Sequence, residues 1–514
     1  MTLQAWSVPD VRAAEEAAMA KLPDGELMQR AARGLAAVVR ARLAGRARAT
    51  VVGLVGSGGN GGDTLYALAR VAKRRESDDV VALLVSEREA HAGGLAAAEE
   101  AGVRVLRAPW GQEPPEEALE AVRTADVLVD GLAGIGGRPG FKGGMGAVVE
   151  PLLAAVPPEA YVVAVDLPSG ADPEGERPGS AGVWADETVT FGVCKGVHVL
   201  TTADRCGLLT VVDIGLEMST TPVAESLIHD DVARLWPQPG PADDKYSRGV
   251  LGVVAGGEKY PGAAALSVTA AVCAGAGMVR YVGPPTPTFL VSGRVPEVVL
   301  GPPTGNQRVQ AWLVGPGLDP APGGEGPDAA QVAAAREALD SGLPAVVDAG
   351  GLDLLTGPRP GAGARTLLTP HAGELARLLG RLAGREVARE DVEKDPVRMA
   401  RTVAGLLHAT VLLKGHRTYV VPPPGSGLPV RAQADAPAWL ATAGSGDVLA
   451  GIAGTLLAAG LDPLDAGSLA ALVHGLAGHE ASGGGPVRAL AVAESLGDVL
   501  ARLLSRPAEA DGSP

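Results

Sequence analysis

The sequence predicts an α/β protein of two domains, and three observations carry that prediction. Short β-branched runs alternate with amphipathic helical stretches in both halves of the chain. The alternation breaks at a proline-rich stretch, WPQPGPADD at Trp236–Asp244, and then restarts. Finally, 514 residues are too many for one typical core.

In chain order, Thr50–Val55, Val80–Val85, Asp126–Val129 and Tyr161–Val165 read as strands, with helical patterns between them at Thr64–Lys73 and Gly144–Ala155. Such alternation predicts a mainly parallel sheet covered by helices. Leu208–Ile214 reads as the last strand of a first domain over 1–220, and 221–239 reads as a linker. The second domain, 240–505, restarts with strands at Val250–Val254, Met278–Val282, Ala311–Val314, Ala345–Asp348 and Val411–Lys414. Its helices are expected at Gly262–Ala274, Gln331–Asp340, Gly446–Ala458 and Pro463–Ala481. Ala321–Gly326 and Ala508–Pro514 read as a loop and a frayed end.

Composition narrows the function. Net charge is −15, with 44 basic against 59 acidic residues and no basic stripe, which argues against a nucleic-acid partner. Three widely spaced cysteines form neither a disulfide framework nor a zinc pattern. No apolar stretch suits a signal peptide or a membrane span, so a cytoplasmic protein is expected. The 72 glycines are about twice the usual share of roughly 7 %, which cheapens any single glycine motif.

Gly56, Gly58 and Gly61 spell G-x-G-x-x-G after the first strand, where dinucleotide phosphates often bind. Asn60 and Asp63 alter that reading, because a carboxylate at the turn repels a pyrophosphate and suits a cation or a ligand hydroxyl. Two more strand ends carry polar groups: Asp130, before the glycine-rich Gly131–Gly140, and Asp166 with Ser169 in VDLPSG. Ligands bind beyond the carboxyl ends of strands in open α/β sheets. Asn60, Asp130 and Ser169 therefore make a candidate oxygen-lined cation site.

GNGGD (Gly59–Asp63), VDGLAGIGGRPG (Val129–Gly140), AVDLPSG (Ala164–Gly170), ADETVTFG and VVDIGL resemble, in order and spacing, the NAD(P)H-hydrate epimerase domain. The resemblance implies a Rossmann-like sandwich over most of 1–220 and potassium on Asn60, Asp130 and Ser169. It also implies that Gly59, Asn60, Gly61, Gly62, Asp63 and the loop Gly134, Ile135, Gly136, Gly137, Arg138, Pro139, Gly140 contact the hydrated nucleotide. Asp166 is the candidate acid/base on the hydrated ring. The chain departs from the usual pattern at Gly59, where a first asparagine is common, and at Thr64, where glycine is common.

In the second half, ATAGSGDVLAG places Asp447 at a helix start after Ala443, Gly444, Ser445 and Gly446. A helix N-terminus offers unpaired N–H groups and a positive dipole end to a transferring phosphoryl group, and a nearby Asp can deprotonate the attacking hydroxyl. KGHRT (Lys414, Gly415, His416, Arg417, Thr418), TPHAGE around His371, GPGL around Gly317 and Asp348-Ala349-Gly350 all follow strands. Together these motifs resemble the ADP/ATP-dependent NAD(P)H-hydrate dehydratase domain, of ribokinase-like fold, over about 240–505.

That resemblance implies Asp447 as base and the amides of Ala443–Gly446 as an anion hole. It places Ala264, Gly317 and His371 on the hydrate, and Lys414–Thr418 with Gly446 on the nucleotide. The co-substrate is then ADP with Mg²⁺, the substrates are hydrated NADH and NADPH, and self-association is expected through exposed apolar helix surface. The combined reading is a bifunctional repair enzyme. The alternative that stays open is a small-metabolite kinase with a non-catalytic N-terminal module.

Overall fold

The computed structural model describes residues 2–75, 78–141, 143–179, 181–301, 308–320, 328–362 and 365–505. The stretches expected as loop and frayed end, Ala321–Gly326 and Ala508–Pro514, lie outside the described residues. The chain divides into two compact units, Gln4–Ala224 and, with the first three residues, Glu225–Pro514. The stretch 221–239, read as a linker, holds the strand Ala224–Ser226 and the helix His229–Leu235.

In the N-terminal unit a seven-stranded sheet runs Arg104–Arg107, Asp79–Leu84, Thr50–Val55, Val127–Gly131, Tyr161–Val165, Glu187–Phe191, Leu208–Val212 across its width. Every neighbouring pair is parallel. Period-two alternation gives each strand two buried faces. Val51 and Val55 join one core with Leu35, Val39, Leu65 and Leu68 of the helices Glu26–Arg42 and Gly59–Ala72. Val52 and Leu54 join the other with Ala118, Val122, Val148 and Leu152 of Glu116–Arg123 and Gly144–Ala154. The chain order of the strands reverses between Thr50–Val55 and Val127–Gly131, and ligands bind outside such a switch point.

The helix expected at Thr64–Lys73 begins five residues earlier, so GNGGD is its first turn rather than a loop. Five residues of poor helix propensity would not start a helix alone. Tertiary packing overrides them: a Cβ at Gly61 would overlap the carbonyl oxygen of Gly56, so only glycine lets the helix come so close to the strand end. Thr64 is fully buried and donates its hydroxyl to the Asn60 carbonyl at 2.7 Å.

The C-terminal unit carries the strands Val299–Leu300, Met278–Val282, Val250–Val254, Ala311–Val314, Ala345–Val347, Thr366–Leu368, Thr410–Leu413, Thr418–Val421 and Val430–Gln433, in that spatial order. They pair in parallel up to Thr410–Leu413, and the last two pairings are antiparallel. Leu251, Val253, Leu313, Val346, Leu367, Leu412 and Val420 form one large core with the helices Gly262–Cys273, Ser445–Ala458, Pro463–Ser482 and Ala489–Leu504. Again the order reverses beside the first strand, here Val250–Val254. Among the described residues no helix is long and apolar enough to cross a membrane.

Gly61→Ala tests why that helix starts where it does. Helix propensity favours alanine by about 1 kcal/mol, but the added methyl meets backbone that cannot rotate away, an overpacking cost of about 1–3 kcal/mol. The variant is expected to unfold at lower urea concentration than wild type, read by circular dichroism.

Candidate functional site

In the N-terminal unit the site gathers at the carboxyl ends of three strands. Asn60 donates its amide to the Val165 carbonyl at 2.6 Å, tying the first turn of helix Gly59–Ala72 to the end of strand Tyr161–Val165. Its carboxamide oxygen lies against Gly134, where a Cβ would overlap it. Asp130 is fully buried and accepts hydrogen bonds from the Ser169 hydroxyl (2.6 Å), the Ser169 amide (2.7 Å) and the Leu132 amide (3.4 Å). The Ala133 amide donates to Ser169 Oγ at 3.0 Å. Asn60, Asp130 and Ser169, three separate signals in the sequence, thus stand together.

Among the described residues no basic side chain pairs with Asp130. Burial pushes its carboxyl up to about 6 against three hydrogen bonds that pull it down, so the negative form lacks charge compensation. The Ser169 hydroxyl beside this buried carboxylate, with the Asn60 carboxamide against the adjoining loop, offers oxygen donors of the kind a hard cation takes. Among the described residues no group of three His, Cys, Asp or Glu could hold a metal ion.

Asp166 follows its strand with φ 66°, left-handed backbone that is strained for a side chain other than glycine. Its surroundings over-determine the conformation. Its amide donates to the Val189 carbonyl at 2.8 Å, and its carbonyl accepts from His198 Nε2 at 2.8 Å. His198 Nδ1 accepts the Lys195 amide at 2.9 Å, which fixes the proton on Nε2. Burial drives the His198 imidazole down to about 4, so it stays neutral.

The Asp166 carboxylate is held by Lys195, 1 % exposed, whose ammonium lies 2.6 Å from Oδ1. The same ammonium donates to Thr190 Oγ1 at 3.0 Å and to the Phe191 carbonyl at 3.1 Å, and Thr190 donates to Oδ1 at 3.1 Å. Burial would raise this carboxyl, but the charge and hydrogen bond of Lys195 outweigh it and hold Asp166 below the usual range. Lys195, Thr190 and His198 escape the sequence reading. The one signal for them was a lysine just beyond a strand, and a buried lysine looks no different in sequence from an exposed one.

Asp63 points the other way. Burial, then the charges of Asp166 and Glu15, raise its carboxyl well above the usual range despite Lys195, which favours the protonated form and, of the two partners its sequence position allows, suits a ligand hydroxyl better than a cation. The glycine-rich loop is pinned by Gly137 amide to Gly134 carbonyl (2.7 Å) and Gly140 amide to Gly170 carbonyl (2.8 Å). Arg12 donates to the Ile135 carbonyl at 3.4 Å, and Arg138 is exposed. A Cβ at Gly59 would meet open space, so the glycine there changes no packing.

In the C-terminal unit a cavity of about 640 Å³ is lined by Asp348, His371, Glu374, Lys414, Gly415, His416, Thr418, Gly444, Ser445, Gly446 and Asp447. Arg417 and Ala443 lie outside that lining. Lys414 sits 2.7 Å from Asp348 Oδ1 and 3.7 Å from Glu374 Oε2. Burial would lower its ammonium, but Asp348 and Glu374 prevail and raise it. Thr369 donates to Asp348 Oδ1 at 2.8 Å. Helix Ser445–Ala458 starts behind Gly444 at φ 88°. Burial and Asp348 lift the Asp447 carboxyl to about 7, against Lys414.

Three expected roles change in detail. The Ser445 hydroxyl donates to the Leu440 carbonyl (2.8 Å) and its amide to the Thr442 carbonyl (3.3 Å), so neither faces an anion; Gly444, Gly446 and Asp447 supply the amides of the first turn. His371 caps the helix Ala372–Ala383, its Nδ1 accepting from the Gly373 (3.1 Å) and Glu374 (3.4 Å) amides, while the ring borders the cavity. Gly317 and Ala264 lie off the lining and meet through Gly256, at the N-terminal end of helix Gly262–Cys273. Asp348 and Glu374, quoted in the motifs but given no role, are the partners that charge Lys414.

The same division appears in comparisons with known proteins. The profile of the NAD(P)H-hydrate dehydratase family matches residues 251–494, and that of the YjeF-related protein N-terminus matches 24–197. The bifunctional NAD(P)H-hydrate repair enzyme Nnr of Mycobacterium tuberculosis is 44 % identical over 464 residues, covering 89 % of each chain. That of Mycobacterium leprae is 42 % identical over 477 residues, covering 91 % of this chain and 92 % of its own. Among solved structures, an ADP/ATP-dependent NAD(P)H-hydrate dehydratase from Bacillus subtilis, co-crystallized with ATP/Mg²⁺, aligns with 54 % of this chain and 98 % of its own at 23 % identity and TM-score 0.47. With relatives this similar over nine-tenths of its length, the chain belongs to the family of bifunctional NAD(P)H-hydrate repair enzymes, in which an epimerase domain and a dehydratase domain share one polypeptide.

Proposed function

We propose that the C-terminal unit moves the terminal phosphate of ADP onto the ring hydroxyl of the S hydrate of NADH or NADPH and then eliminates it. One observation carries this: a helix N-terminus, the half-buried Lys414 and Asp447 with a carboxyl near 7 all meet one cavity. A base is most useful when its pKa lies near the working pH. Asp447 takes the hydroxyl proton, the freed oxygen attacks the terminal phosphorus, and AMP leaves. The carbon–oxygen bond then breaks with phosphate, and loss of a proton from the adjacent ring carbon restores NAD(P)H.

Lys414 and the amides of Gly444, Gly446 and Asp447 stabilise the charge on the transferring group. Gly415, His416, Arg417 and Thr418 belong to the nucleotide side of this reading; Ala264, Gly317 and His371 belong to the hydrate side. Mg²⁺, when it arrives with the nucleotide, neutralises phosphate charge. The absence of a three-residue cage among the described residues suits an ion held chiefly by phosphate oxygens and water, bordered here by Asp348 and Glu374.

The N-terminal unit interconverts the R and S hydrates, with Asp166 as base and K⁺ on Asn60, Asp130 and Ser169 compensating the buried carboxylate. The turns Gly59–Asp63 and Gly134–Gly140 line the hydrate. Phe289 and Leu290, exposed on the helix Pro285–Arg294, and Val299 and Leu300, exposed on the edge strand of the C-terminal sheet, are the apolar surface through which copies of the chain associate.

The decisive assay gives purified protein separated S and R hydrates of NADH with ADP, Mg²⁺ and K⁺ and follows NADH absorbance. Recovery from S is expected, and Asp447→Ala lowers it at least about 100-fold; recovery from R outpaces spontaneous conversion. A stable phosphorylated product with no NADH would instead indicate a metabolite kinase. Dehydration should rise with pH through about 7 as Asp447 loses its proton. Lys414→Met removes the charge that holds this carboxyl down, so the limb moves to higher pH. For the cation, thermal unfolding in KCl is expected above that in tetramethylammonium chloride, and Asp130→Asn abolishes the difference.

A further inference from the structure

We infer that Asp63 is a second catalytic residue of the N-terminal unit, giving a proton to the ring hydroxyl of the hydrate while Asp166 accepts one. The inference rests on the epimerase reading of this unit and adds the group that reading lacks.

Geometry brings Asp63 to the reacting centre. It lies on the first turn of helix Gly59–Ala72, and Asn60 of that turn is bonded to Val165, the residue before Asp166. Asp63 is only 8 % exposed as a residue, yet no described residue donates a hydrogen bond to its carboxyl. The two other buried carboxyls of the site are both bonded: Asp130 by three donors, Asp166 by Lys195 and Thr190. A buried, unpartnered carboxylate is costly, so the group keeps its proton or awaits a partner brought by the ligand.

The charges around it favour the first state. The charges that act on Asp63 come from Glu15 of helix Val8–Met19, Asp166 at the strand end and Lys195 of the short strand Cys194–Lys195. Burial leads, the two carboxylates add to it, and the lysine only opposes. Asp166, gripped by that lysine, is the ionised member. Two neighbouring carboxyls whose environments drive their proton affinities apart form an acid and a base.

The reaction needs both. The hydroxyl-bearing ring carbon is also bonded to the ring nitrogen, so inversion can proceed by breaking and remaking its carbon–oxygen bond. Asp63 protonates the departing oxygen, which leaves as water with the bonding pair, and the nitrogen lone pair forms a carbon–nitrogen double bond. Water then adds to the opposite face, the double-bond pair returns to nitrogen, and Asp166 takes the proton released. Passing that proton back to Asp63 through water resets the site, and nothing is oxidised or reduced.

The test measures conversion between separated R and S hydrates by chromatography, with no nucleotide present, for wild type, Asp63→Asn and Asp63→Glu across pH. Expected is a fall in kcat of at least about 100-fold in Asp63→Asn. Its pH profile loses the alkaline limb and keeps the acidic limb set by Asp166, and Asp63→Glu retains both limbs. Three results overturn the inference: Asp63→Asn within threefold of wild type, Asp63→Asn slow with both limbs kept, or equal losses in Asp63→Asn and Asp63→Glu, which would mark a packing role. Wild type no faster than spontaneous conversion would instead remove the epimerase reading itself.

Discussion

The ion pair between Lys195 and Asp166, 2.6 Å apart and almost closed to water, organises everything around it in the N-terminal unit. An ammonium buried that deeply must have all its donors met, and its three acceptors come from Asp166, Thr190 and Phe191. This fixes the end of strand Glu187–Phe191 against the end of strand Tyr161–Val165. It also keeps Asp166 ionised in a place where burial alone would protonate it. Deleting one partner of such a pair typically costs about 3–5 kcal/mol, because the other charge is left buried.

The C-terminal unit uses the same physics with other residues. Lys414 lies 2.7 Å from Asp348 at a strand end, with Glu374 beyond it. Here the lysine remains close enough to a helix N-terminus to serve a phosphate: a Cβ at Gly446 would sit 3.2 Å from its Nζ. Burial, and after it the charge of Asp348, act on Asp447 the other way, raising its carboxyl to about 7. In each unit a lysine opposes burial at a neighbouring carboxyl, outweighing it at Asp166 and only partly at Asp447, and such tuning is what acid–base chemistry at neutral pH requires.

Glycine contributes by absence. Helix Gly59–Ala72 can approach the strand ends because Gly61 and Gly134 present no Cβ to Gly56 and Asn60. The approach is what gives Asn60 its bond to Val165 and carries Asp63 toward Asp166. A sequence half as rich in glycine could keep the strands and lose the site.

The sequence by itself determined the alternation of strands and helices, the parallel sheets, the positions of Asp130, Asp166, Ser169 and Lys414 just beyond strands, the turn that carries Asn60, and the helix start at Asp447. These follow from local patterning: period two for buried strands, short turns after them, and ligand chemistry at their carboxyl ends. Only the tertiary structure decided that GNGGD starts a helix, that Ser169 donates to Asp130, that the Ser445 amide is engaged within its own turn, and that Lys195, Thr190 and His198 surround Asp166. Which carboxyl holds a proton was likewise invisible in the sequence. Ionisation depends on burial and on charges brought close through space, and residues as far apart in the chain as Glu15, Asp63, Asp166 and Lys195 become neighbours only when the sheet is built.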